Sequence, residues 1–225
     1  MWDVDALAPP KIKFCAITSR RDADAAVGAG AWAVGMILWS GSRRRCRVGV
    51  AAEIAAAHRR RVEIVGVFVN PTLEHVARAA DEIGLTMLQM HGDEGPAFCA
   101  EAARRTGCRV IKAARVRSGA DIQALGPFHT DLHLLDSYVS GVRGGSGETF
   151  AWELVGARRS TVPLILSGGL TPDNVAEAVA LVRPYAVDVA SGVELSPGRK
   201  DHDKLSAFAA AVAGERAPTP THPAG

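Results

Sequence analysis

The chain has 225 residues, 48% of them hydrophobic, with a mean hydropathy of +0.08, which is material for one large domain with a sizeable core. Its net charge of +2, with 22% charged residues, is too balanced for a nucleic-acid or polyanion binder, and no apolar run approaches the ~20 residues of a membrane span. The four cysteines (15, 46, 99 and 108) form no CxxC pair or zinc spacing, and "MWDVDALAPP" has two acids and no apolar leader core. We therefore expect reduced thiols and a cytoplasmic protein with no nucleic-acid or membrane partner.

Eight short runs rich in Val and Ile read as strands: 12–18, 33–38, 63–69, 86–90, 109–114, 132–136, 163–167 and 186–190. Ala-rich amphipathic segments separate them. "NPTLEHVARAADEIG" (70–84) opens on Asn, Pro and Thr and closes on Gly, as a capped helix does, and "TPDNVAEAVALV" (171–182) opens similarly. The segment after the sixth run, "FAWELVGAR", is the shortest. Runs apolar on both faces imply parallel strands covered by helices, and a count of eight favours a single-domain α/β fold closed as a (β/α)₈ TIM barrel. The expected boundaries are an N-terminal extension at 1–10, the barrel at 11–213 and a disordered tail at 214–225, where "GERAPTPTHPAG" lacks periodicity.

Chemistry in such a barrel sits at the C-terminal ends of the strands. Cys15 stands there after the first strand, either as a small buried hydrophobe or as a reactive thiol. "WSGSRRRC" (39–46) follows the second strand: its arginines read as a solvated face, or Arg44 presents a planar fork to a carboxylate. His91, in "LQMHGDE" (88–94), is as readily a packed histidine as a participant. Asp136 ends the sixth strand ahead of a Gly-rich stretch able to act as a lid; it caps a turn or forms half of an acid–base pair. "LSGGLTPDN" (166–174) and "DVASGVE" (188–194) follow strands seven and eight. Gly168, Gly169 and Gly192 there suit either tight turns or a phosphate cradle of backbone N–H groups. Lys13, two residues before Cys15, shares its side of the strand, either to favour the thiolate or to pair with an interior carboxylate.

In this order the stretches resemble the phosphoribosylanthranilate isomerase family of tryptophan biosynthesis, over about residues 11–213. The family's K-I-C-G-I-T is here "KFCAIT" (13–18), its S-P-R is "SRR" (42–44), and its L-Q-L-H-G-x-E is "LQMHGDE". Its G-G-T-G-K-x-F-x-W is "GGSGETFAW" (144–152), and "LSGGLTPDNV" and "DVASGVE…PGRKDHDKL" match the last two strands. The resemblance implies an Amadori rearrangement of a small phosphoribosyl substrate, with no metal or redox cofactor because the substrate only moves a proton, in a monomer or homodimer. By that likeness Asp136 is the general acid and Cys15 the general base. Arg44 holds the anthranilate carboxylate, Asp188 lines the pocket, and the backbone around Gly168, Gly169, Ser191 and Gly192 holds the phosphate.

Four positions depart from the pattern: Ala16 for Gly, Arg43 for Pro, Glu148 for Lys and Ala190 for Ser. Glu148 is expected to face solvent. The competing readings are an indole-glycerol-phosphate synthase, for which Lys112 in strand five is a partial match, a metal-dependent ribulose-phosphate epimerase, the histidine-pathway isomerase with aspartates as acid and base, and a silent phosphosugar-binding barrel.

Overall fold

The computed structural model describes residues 9–136 and 160–214, with Trp152, Leu154, Val155 and Arg158 between them. The expected N-terminal extension up to residue 8, the Gly-rich stretch with Glu148, and the tail from residue 215 lie outside the described residues.

Eight strands close into one parallel barrel in chain order: β1 (Lys11–Phe14), β2 (Ala33–Ile37), β3 (Glu63–Phe68), β4 (Met87–Met90), β5 (Arg109–Arg115), β6 (Leu132–Asp136), β7 (Leu164–Ser167) and β8 (Ala186–Val189). The seam between β1 and β8 sets Lys13 beside Asp188. Helices α1 (Arg20–Gly28), α2 (Val48–His58), α3 (Leu73–Ile83), α4 (Pro96–Thr106), α5 (Gly119–Gln123), α6 (Val175–Val182) and α7 (His202–Val212) carry the chain between and after the strands. Their ends follow the sequence signals. Thr72 accepts a hydrogen bond from the His75 N–H, and Gly84 closes α3 at φ 76°, a left-handed geometry that costs glycine least.

The strands divide their side chains by parity. Phe14, Val34, Ile64, Leu88, Val110, Leu135, Leu166 and Val187 point outward to the helices and join the main core. Ala33, Val65, Met87, Ile111, Leu132, Leu134, Ile165 and Ala186 point inward and plug the barrel. Continuing inward parity toward the C-terminal ends brings up Lys13, Gln89, Asp136, Ser167 and Asp188, so the apolar plug gives way to a polar layer at the mouth.

After β8 the chain makes a 3₁₀ turn at Ser191–Val193 and a small antiparallel hairpin, β9 (Glu194–Ser196) with β10 (Arg199–Lys200), before entering α7. Sequence reading did not anticipate this hairpin. No helix among the described residues is long and apolar enough to cross a membrane. The four cysteines are free and buried.

Candidate active site

Cys15 sits one residue beyond β1, and its backbone N–H donates to the Val189 carbonyl at 2.8 Å, so the strand ladder still controls its position. The next residue, Ala16, takes φ 60° and is fully buried. A left-handed alanine costs about 1–2 kcal/mol, more than the ~0.8 kcal/mol that one buried methyl returns. This residue turns the chain into the loop that leads to α1.

The space for the thiol is made by Gly35 on β2. A Cβ built there would lie 2.9 Å from Cys15 Sγ and 3.0 Å from Lys13 Nζ, so both groups press on the glycine. Sequence analysis did not single out Gly35; its only signal was a glycine inside a strand, which often marks close approach. Gly35→Ala is expected to displace the thiol and lower kcat by about ten- to hundredfold, as sub-ångström to ångström misplacement does. Steady-state kinetics on a variant with unchanged unfolding midpoint would check it; wild-type kcat would rule out this packing role.

Lys13 lies against both of the groups weighed for it. Its Nζ lies 2.7 Å from Asp188 Oδ1, with side-chain exposures of 0% and 6%, and the thiol borders the same ammonium. Burial works against the Lys13 charge, yet Asp188 and Cys15 outweigh it and hold the ammonium above its ordinary pKa. For Cys15 burial dominates and pushes the thiol up, while Lys13 pulls it back toward ionisation. Asp188 also accepts from Ser167 Oγ at 3.1 Å. Inside the barrel it anchors Lys13.

On the other side of the mouth, Asp136 ends β6 with its Cα beside Arg115 and Ser167. His91, just past β4, points its Nε2 at Asp136 Oδ2 across 3.9 Å. Gln89 Nε2 lies 2.8 Å from His91 Nδ1, which as an acceptor leaves the ring proton on Nε2. Burial holds the imidazole below its ordinary pKa, with Asp136 opposing, so His91 is neutral near pH ~7. The histidine left open by the sequence therefore faces the carboxyl.

Gly168 and Gly169 after β7 take φ 98° and 63°, the conformations that suit a backbone cradle. Gly192 has a different requirement: a Cβ there would collide with the Leu170 carbonyl, so the loops after β7 and β8 meet backbone to backbone. Ser191 opens the 3₁₀ turn beside it.

Arg44 reaches from the loop after β2 to Glu194 on β9. Its Nε lies 3.0 and 2.9 Å from the two carboxylate oxygens, and its Nη2 lies 2.8 Å from Oε2. Arg43 is exposed. Lys112, the partial match to a synthase lysine, sits at outward parity between Ile111 and Ala113. It is bound to the Gly92 carbonyl at 2.7 Å and Glu94 at 3.1 Å. Among the described residues no His, Cys, Asp or Glu cluster is arranged to hold a metal ion.

A closed (β/α)₈ barrel that turns a thiol, a carboxyl and two glycine loops toward one end is an acid–base barrel of the phosphosugar type. The family model described as N-(5'phosphoribosyl)anthranilate (PRA) isomerase matches residues 12–211. The chain belongs to this family of isomerases. It is 46% identical over 200 residues to the N-(5'-phosphoribosyl)anthranilate isomerase of Geobacter sp. (strain M21), covering 89% of this chain and 96% of the relative. The crystal structure of phosphoribosyl anthranilate isomerase from Thermotoga maritima superposes with a TM-score of 0.81 at 39% identity, over 91% of this chain and 99% of that one. A second structure of such an isomerase, in complex with reduced 1-(o-carboxyphenylamino)-1-deoxyribulose 5-phosphate, gives 0.79 at 36% identity, over 91% and 99%.

Proposed function

We propose that this chain carries out the Amadori rearrangement of N-(5′-phosphoribosyl)anthranilate to 1-(2-carboxyphenylamino)-1-deoxyribulose 5-phosphate in tryptophan biosynthesis, with Asp136 as general acid and Cys15 as general base. Asp136 delivers a proton to the ribose ring oxygen, the C1′–O bond breaks, and the nitrogen lone pair forms a Schiff base at C1′. The Cys15 thiolate then removes the C2′ proton. The electrons of that C–H bond become the C1′–C2′ double bond of an enolamine, which tautomerises to the C2′ ketone. C1′ is reduced as C2′ is oxidised, so the electrons balance within the substrate and no external redox partner is needed.

The observation that supports this reading is the pairing of an inward thiol and an inward carboxyl at one end of a closed barrel. Lys13 stands beside the first and neutral His91 beside the second. Arg44 takes the ring carboxylate, the loops around Gly168, Gly169, Ser191 and Gly192 take the phosphate, and Asp188 keeps Lys13 in place. A small phosphoribosyl molecule is the ligand, and the protein works as a monomer or homodimer in the cytoplasm.

The pH dependence tests it. The base is active as thiolate and burial raises the thiol pKa, so Cys15 ionisation, read as the thiolate absorbance that Cys15→Ala lacks, must continue above the ordinary thiol range. Thiolate absorbance is expected to grow by up to tenfold per pH unit from about pH 7 and to go on growing above about pH 8.5. Loss of anthranilate-type fluorescence from substrate made in situ provides the assay. Cys15→Ala activity within about tenfold of wild type removes Cys15 as the base, and no fluorescence loss beyond the uncatalysed rate removes the isomerase reading.

A further inference from the structure

We propose that Glu194 is the positioning residue for the carboxylate-binding arginine, with Lys200 keeping the group cationic; this rests on the reading of Arg44 given above. A guanidinium has two edges able to meet a carboxylate side-on, Nε with Nη2 and Nη1 with Nη2. Glu194 occupies the first edge at 2.8–3.0 Å. Among the described residues the Nη1 side has no hydrogen-bond partner, and the Arg44 side chain is 31% exposed, so the second edge looks out of the loop.

An arginine closed on a buried glutamate is a neutral pair with little attraction for an anion. Lys200 alters that balance. Its side chain is fully buried, and its Nζ lies 3.4 Å from Glu194 Oε1 and 2.8 Å from the Ala190 carbonyl. Two cations and one anion leave the triad one positive charge, and Arg44 is its exposed member. Burial pulls Lys200 below its ordinary pKa while Glu194 opposes this, so the glutamate supports both cations at once.

The hairpin has the form of a clamp built for this purpose. Glu194 also accepts from the Gly198 N–H at 3.2 Å, Thr18 from the loop after β1 donates to the Gly198 carbonyl, and Lys200 grips Ala190 in the loop after β8. The arginine's reach is thereby set relative to both the thiol loop and the phosphate loop. A carboxylate, a planar fork and a phosphate-loop carbonyl are held in one frame.

The test compares two inhibitors: reduced 1-(o-carboxyphenylamino)-1-deoxyribulose 5-phosphate and the same molecule without its ring carboxylate. Wild type is expected to prefer the carboxylated inhibitor. Glu194→Gln should weaken that inhibitor by about tenfold or more and leave the other within about twofold, because only the charge-assisted fork is lost. The double variant Glu194→Gln/Lys200→Met, which leaves no unpaired buried ammonium, should show the same selective loss if the single variant folds poorly. Equal weakening of both inhibitors, or wild-type discrimination in either folded variant, overturns the positioning role and leaves the isomerase reading intact. A wild type that isomerises its substrate but does not discriminate overturns this proposal together with the assignment of Arg44. A wild type that neither isomerises nor binds either inhibitor overturns the functional reading itself.

Discussion

Asp136→Asn is expected to lower kcat by a factor on the order of 10⁴, the upper end of what a positioned proton donor contributes. Ring opening requires a proton at the ribose oxygen as the C1′–O bond breaks, and an amide at the end of β6 has none to release. The replacement is nearly isosteric, and the His91 Nε2–H can still face the amide oxygen, so the fold should be retained. Cys15→Ala should fall to a similar level for a different reason, since a methyl group cannot take the C2′ proton. The two losses should not add in the double variant, because either one halts the same sequence of steps. Fluorescence loss on substrate made in situ measures all three. An Asp136→Asn variant within about tenfold of wild type would remove Asp136 as the acid.

Lys13→Met should cost about 3–5 kcal/mol of stability, the typical result of removing one partner from a buried ion pair. The size follows from where Asp188 lies: inside the barrel, 5% exposed, with only Ser167 Oγ left as a described side-chain donor. Lys13→Met/Asp188→Asn should recover most of that loss, since an apolar or neutral replacement of both partners removes the stranded charge. Urea unfolding midpoints would measure both, and equal midpoints for the single variant and wild type would contradict the buried pair. The same substitution has a second readout. Lys13 favours the thiolate and Asp188 disfavours it. Removing the cation must therefore raise the Cys15 pKa further and shift the Cys15 thiolate titration to higher pH. An unmoved titration would confine Lys13 to a structural role.

The strands were legible because each is a local pattern. Val-, Ile- and Leu-rich runs of four to seven residues cannot be solvated on either face, and the observed strands begin and end within a few residues of those runs. The first strand shows the limit of that signal. "IKFCAIT" reads as continuous apolar chain to Thr18, but pairing as β1 stops at Phe14, and Ala16 turns into left-handed backbone to free the loop. The candidate acid and base were visible for the same local reason. They stand at the C-terminal ends of strands, and barrel topology assigns all such ends to one rim.

Asp188 shows what parity alone leaves open. Alternation on β8 predicts that it faces inward, but not that it would meet Lys13 from 175 residues away rather than a ligand. The Arg44–Glu194 contact spans 150 residues and crosses from the loop after β2 to a hairpin that has no periodicity to detect. Gly35 is silent in the sequence because its role is defined by atoms on another strand.

By itself, then, the order of residues determined a parallel eight-stranded cylinder, the rim on which its reactive groups gather, and the thiol and carboxyl among them. Those properties depend on hydrophobic period and chain direction, which each segment carries alone. Only the closed barrel decided which charges neutralise each other, which imidazole faces the candidate acid and which glycine yields space to sulfur. Such contacts arise from the register between strands and loops far apart in the chain, and short-range interactions do not specify that register.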